Sequence, residues 1–202
     1  MRTMIDNYSR LPIGKYMDIL AISKDENLEE LEMQVKVLSI LSGIEDDEIM
    51  HLPIGEYKSM VAKASFLERE DDNRHQIAKA YRIGGMELIP VSDYRKIETC
   101  QYVDFQTFAQ DIENRMPEFL SVMLVPKGHR YNEGYDVLDV QNVIRENLSV
   151  TDSLSLCGFF LTLCRNSIAD TLSFCKKMAK GLPREQRKVA REKIRHLQTL
   201  LG

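Results

Sequence analysis

Tryptophan is absent from the 202 residues, and aromatic side chains make up only 7%. That argues against a base-stacking or sugar-binding platform, which relies on exposed rings. Cysteine is sparse. Cys100, Cys157, Cys164 and Cys175 form no C-x-x-C pair, and the last three share one expected helix at separations of seven and eleven residues. Helix neighbours that far apart cannot bridge one another, so the cysteines read as reduced, buried small hydrophobes of a cytosolic protein. Four histidines (His51, His75, His129, His196) are scattered with no H-E-x-x-H, so no zinc site is expected. No G-x-x-x-x-G-K-[ST] loop is present to cradle a phosphate. The apolar stretch Phe159 to Leu163 contains Thr162 and falls far short of the ~20 residues of a bilayer span. The N-terminus lacks a charged region followed by an apolar one, so no secretory signal is expected. These absences leave no catalytic residue, metal or cofactor to assign, and no membrane partner.

What the chain has is an ordinary globular mixture, 44% hydrophobic and 29% charged, at a length that buries a substantial core. Ten methionines favour adaptable packing. Its net charge of −4 conceals an asymmetry. Between Lys176 and His196 nine Lys or Arg stand against two Glu, about +7, which leaves about −11 on the remainder.

The pattern is that of a mostly α (α+β) protein, a helical bundle around one long central helix with a single small β-hairpin. The central helix is expected over Leu148–Met178, with Ser149 as its cap and Asp152 three residues on. Its apolar face is Leu154, Cys157, Leu161, Cys164, Ile168, Leu172 and Cys175, and Leu156, Phe159, Phe160 and Leu163 make it apolar all round between Leu154 and Cys164. Core packing is the expected role of Cys157 and Cys164, because a reactive thiol needs an electropositive, partly exposed setting.

Ahead of it, Leu11-Pro12-Ile13-Gly14-Lys15-Tyr16 is echoed by Leu52-Pro53-Ile54-Gly55-Glu56-Tyr57. Each is expected to start a helix with Pro at its first position and the Leu and Tyr stapled together. The first runs to about Ser23 and the second to about Glu70, with Tyr57, Met60, Val61, Ala64 and Leu67 facing inward. Two convergent helix starts explain the echo better than a duplicated unit, since true repeats match along their whole period. Between them Leu28–Ser42 reads as a helix with the stripe Leu31, Val35, Leu38 and Leu41, closed by Gly43. Glu45-Asp46-Asp47-Glu48 suits a solvated helix start and lacks the ligand spacing of a calcium loop.

The polar run Glu68–Arg74 marks a boundary, giving an N-terminal helical subdomain (1–70), a hairpin plus helical core (71–182) and a basic C-terminal helix (183–202). After the boundary, Lys79–Ile83, Gly84-Gly85 and Met86–Ile89 read as a hairpin. Thr99 is expected to cap a helix over Cys100–Ile112, with Tyr102, Val103, Phe105, Phe108 and Ala109 inward. Pro117 introduces Phe119–Val125, read as helix with a short strand as the alternative. Pro126–Asp136 is a loop whose His129, Arg130, Tyr131 and Tyr135 suit a structured connection or a partner contact. A helix over Val137–Asn147 follows, and Gly181 and Pro183 separate the central helix from a last one with the stripe Ala190, Ile194, Leu197 and Leu201.

The one surface feature above background is the basic face of Lys176, Lys177, Lys180, Arg184, Arg187, Lys188, Arg191, Lys193 and Arg195. Such a row can neutralise phosphates, but no aromatic or Asn/Gln-rich reading face accompanies it. Contact with an acidic protein surface, including this chain's own acidic N-terminal half, is the favoured reading and nucleic acid the alternative.

The order of Leu38–Ile49, Leu52-Pro53-Ile54, Ile97–Asp104, Pro126-Lys127-Gly128 with Tyr131 and Tyr135-Asp136, and Gly158-Phe159-Phe160-Leu161 resembles small tail-region proteins of tailed bacteriophages, especially those infecting Bacteroidetes bacteria. Those proteins are described as tail assembly chaperones or left as uncharacterised virion proteins. The similarity covers roughly residues 11–178 and rests on structural motifs. It implies a non-enzymatic morphogenesis protein of the host cytoplasm or the virion, acting by contact with tail or neck proteins or with copies of itself, with no catalytic residue to carry over.

Overall fold

The computed structural model describes residues 4–69 and 76–180, with side chains as far as Arg165. Two compact units emerge, one of Met1–Val91 with Ile97–Gly158, the other of Ser92–Lys96 with Phe159–Gly202. The expected class holds: mostly helix, with one small antiparallel sheet.

In the first unit, α1 (Ile13–Ser23), α2 (Glu30–Ser42), α3 (Asp46–Met50) and α4 (Ile54–Ala64) follow one another, and a 3-10 turn (Ser65–Glu68) prolongs α4. Pro12 and Pro53 stand one residue before their helices, at ψ of 143° and 139°, so each proline ring leads into the first turn from extended backbone. Gly43 closes α2 at φ 68°, the left-handed conformation that a side chain would strain. Of the α2 stripe, Val35, Leu38 and Leu41 are buried, whereas Leu31, in the first turn of the helix, is 51% exposed.

Strands β1 (Tyr81–Ile83) and β2 (Met86–Pro90) pair as the expected hairpin, Ile83 opposite Met86. Gly84 and Gly85 both have positive φ, 52° and 78°, as a tight two-residue turn demands. A third strand joins them. The run read as helix or strand is both: α6 (Met116–Met123) passes directly into β3 (Leu124–Pro126), which pairs with β2 through Ile89 opposite Val125. Lys127 then donates its backbone N–H to Glu87 O at 2.8 Å, and its ammonium grips the Glu87 carboxylate at 3.0 and 3.1 Å.

The helix α5 (Thr99–Ala109) is capped by Glu98 rather than Thr99. Gln101 is the reason. Its Oε1 accepts from the Glu98 N–H at 3.4 Å, and its Nε2 donates to Val122 O at 2.6 Å. A glutamine that satisfies both backbones is buried, while Tyr102 and Val103, expected inward, are 39% and 55% exposed. α6 is the most buried of the described helices, with Met116, Pro117 and Phe119–Met123 all buried, Glu118 part-exposed, and α1, α5 and α7 (Val137–Asn147) against it. Asp136 caps α7, accepting from the Leu138 N–H at 2.8 Å.

The long helix α8 (Val150–Lys180) begins where expected. Ser149 Oγ accepts from the Asp152 N–H at 3.1 Å and donates to the Asp152 carboxylate at 2.8 Å. A short bridge ties this start to the first echo: Ile13 N–H to Leu148 O at 2.8 Å and Val150 N–H to Leu11 O at 2.9 Å. The helix is not buried all round. Leu154 and Leu161 are 42% and 44% exposed, and the covered stripe is Val150, Ser153, Leu156, Cys157, Phe160 and Cys164. Spacing alone permits either stripe; the covering neighbours choose. Ile168, Leu172 and Cys175 have side chains outside the described residues, as does the whole segment 181–202.

In the second unit, a 3-10 turn spans Tyr94–Lys96, with Asp93 and Arg95 paired at 3.0 Å. Within its share of α8, the rings of Phe159 and Phe160 lie 5.3 Å apart.

Candidate functional site

Between α1, α2 and α4 the first unit holds an open apolar groove of about 420 Å³. It exists because α4 is amphipathic yet sinks no residue fully into the core. The expected inward face of α4 (Tyr57, Met60, Val61, Ala64) and Leu67 beyond it is only partly buried, and Val61 stays 37% exposed. Ile19 and Leu20 of α1, Met33 and Val37 of α2, and Val61 and Leu67 line the cleft.

Polar groups secure its walls. Tyr57 donates its phenol hydrogen to Gln34 Oε1 at 2.9 Å, tying α4 to α2. Tyr8 holds the far end of α4, donating to the carbonyls of Leu67 (3.2 Å) and Arg69 (3.1 Å) and meeting the rings of Tyr16 and Phe66 edge-on at 6.0 and 5.1 Å. Burial pushes the Tyr16 phenol above its usual range. Leu31 and Ile54 lie one turn before Gln34 and Tyr57, and are 51% and 68% exposed, so apolar surface continues beyond the mouth of the cleft.

The side chains of the loop 127–136 are engaged partly with α5 and partly with one another. Tyr131 is buried and donates to Asp104 Oδ2 at 2.8 Å, and burial followed by that carboxylate drives its phenol far upward. Arg130 pairs with Glu98 at 3.4 Å, and His129 lies edge-on to Tyr135 at 5.8 Å. Asn132 and Gly134 take positive φ, and the Asn132 N–H donates to the Tyr135 hydroxyl at 3.2 Å. These side chains hold the chain reversal between β3 and α7 together.

Desolvation raises the Cys157 thiol to about 12 and the Cys164 thiol to about 11, the opposite of what a nucleophile needs. Cys100 is exposed. In the acidic start of α3, Asp46 pairs with Lys36 at 3.7 Å, and Lys36 reaches Glu32 at the same distance. Among the described residues, no three His, Cys, Asp or Glu gather as a metal site would require. No described helix is long and apolar enough to cross a membrane.

Of the basic residues singled out in the sequence, Lys176, Lys177 and Lys180 lie on α8, with side chains outside the described residues. Arg184, Arg187, Lys188, Arg191, Lys193 and Arg195 lie outside the described residues altogether. The groove carried no signal that sequence reasoning could isolate, since the α4 stripe has the spacing of any core-facing helix. A search of protein-family models, of curated proteins and of solved structures finds no match to this chain.

Proposed function

We propose that the protein is a non-enzymatic bacteriophage morphogenesis protein, working through protein–protein contacts in tail or neck assembly as a chaperone or a virion ring component. The phage context rests on the resemblance of residues 11–178 to tail-region proteins. The observation that carries the mode of action is the half-open groove on α4, whose apolar floor and exposed flanks suit an apolar helical segment of another chain. Its place of work is the host cytoplasm, the particle, or both in turn.

The test is affinity isolation of the tagged full chain from phage-infected cells, with quantitative mass spectrometry of the eluate and of purified particles. Tail or neck proteins are expected in the eluate, reduced about tenfold or more by Val61→Glu, a loss of ~1.4 kcal/mol or more. An eluate free of phage structural proteins would overturn the reading. Fixed stoichiometry in particles identifies a ring component; abundance in lysate with absence from particles identifies a chaperone.

A second reading follows from the basic run Lys176–Arg195: a DNA-binding accessory protein. It requires duplex binding that falls steeply with salt and is abolished by replacing Arg184, Arg187, Lys188 and Arg191 with Glu.

A further inference from the structure

The groove and the basic C-terminal segment fit each other. We infer that residues 184–201 of one copy of this chain dock in the α1–α2–α4 groove of a second copy, making a head-to-tail contact. This rests on the reading above, that the groove is a protein-binding surface, and names its occupant.

Charge is the first argument. Residues 25–56, which supply α2, α3 and the start of α4, hold ten Asp or Glu and one Lys. That lysine, Lys36, is already engaged by Glu32 and Asp46. Glu30 stands one turn before Met33 and Gln34 on the groove side of α2, accepting from Gln34 Nε2 at 3.4 Å. Glu68 lines the cleft at the end of α4. Lys58 and Lys63 are the basic residues of α4, so the acidic wall is the α2 side. The segment from Arg184 to Arg195 has the opposite balance, with Arg184, Arg187, Lys188, Arg191, Lys193 and Arg195 against Glu185 and Glu192. Like-charged segments would repel at this surface; these two attract.

Apolar pattern is the second. Ala190, Ile194, Leu197 and Leu201 recur at four, three and four, the spacing of one face of an amphipathic helix, which at helical rise would span about 16 Å. The groove offers α1 from Tyr16 to Ser23 and α4 with its extension from Val61 to Glu68, two turns each, and the exposed Ile54 and Leu31 prolong it. A helix seated there covers Val61 and sets its basic flank toward Glu30 and the acidic start of α2.

Sedimentation of the full-length chain in about 50 mM and about 500 mM NaCl tests this, because contacts between exposed charges weaken as the Debye length shrinks. The expected result is self-association that weakens about tenfold or more in high salt. Val61→Glu, in a groove residue already part-exposed, and the fourfold variant Arg184→Glu, Arg187→Glu, Lys188→Glu, Arg191→Glu should each be monomeric, with unchanged circular dichroism. Mixing the two monomeric variants should restore a heterodimer, since one retains the groove and the other the segment. A chain that is monomeric in both salts, an oligomer indifferent to salt or to either variant, or a mixture that stays monomeric would each overturn the inference. If phage structural proteins still co-purify in a Val61-dependent manner after such a result, the protein-contact reading stands and only the occupant is wrong.

Discussion

Two glycines in identical local sequence have opposite roles. Gly14 and Gly55 both follow Leu-Pro-Ile at a helix start. A Cβ on Gly14 would sit 2.7 Å from the carbonyl oxygen of Arg145, so α1 can approach α7 only because that atom is missing. Arg145 then reaches across to Asp18 at 2.6 Å. A Cβ on Gly55 meets nothing within 4 Å among the described residues. Gly14→Ala should therefore destabilise by about 1–3 kcal/mol through overpacking, while Gly55→Ala should stabilise by about 0.5–1 kcal/mol through helix propensity. Urea unfolding of the two variants beside the parent checks the signs, and equal effects would refute the packing argument. Neither Gln101, buried because it bonds two backbones, nor Ser153, whose buried Oγ lacks a partner among the described residues, announces its burial in composition.

At the level of elements, the innermost helix is the short α6, and α8 is a one-sided helix over its described side chains. Phe119 and Phe160 are both fully inaccessible, and Phe119 lies 5.0 Å from the Phe105 ring. Truncating either to Ala should cost about 3–5 kcal/mol. Leu161→Ala, at a position 44% exposed, should change stability by no more than about 0.5 kcal/mol. Thermal or denaturant melts of the three variants separate one-sided from all-round burial of α8: a loss of about 2 kcal/mol or more at Leu161 would restore the latter.

For the molecule as a whole, buried acids that resist ionisation set the alkaline limit. Burial raises the Cys157 thiol to about 12 and the Cys164 thiol to about 11, and it lifts the phenols of Tyr16 and Tyr81 as well. In the unfolded chain these groups lose their protons near about pH 8.5 for thiols and about 10 for phenols. Folded values above unfolded ones mean that the stabilisation is fully present below about pH 8.5 and is lost as pH climbs toward the folded values. The melting temperature should therefore hold through neutral pH and fall progressively above about pH 9. Thiol labelling at about pH 8, mapped by mass spectrometry, should modify exposed Cys100 while Cys157 and Cys164 wait for unfolding. Prompt labelling of Cys157 would refute its burial.

The sequence by itself determined the features whose partners lie within about four residues. The glycine that ends α2, the Ser149–Asp152 cap of α8 and the Gly84-Gly85 turn are all placed as short-range hydrogen bonding and backbone sterics require. The basic segment, too, was legible, because charge composition needs no fold. Only the tertiary structure decided which apolar residues are covered. Leu31, Val103, Leu154 and Leu161 have the same chemistry as their buried neighbours and lie exposed. Burial depends on a segment far away in the chain arriving over that face. The third strand likewise required β2 to be present as a partner. The groove belongs to this second class. Its lining residues have the periodicity of a core stripe, and only the incomplete closure of α4 over α1 and α2 makes them a surface.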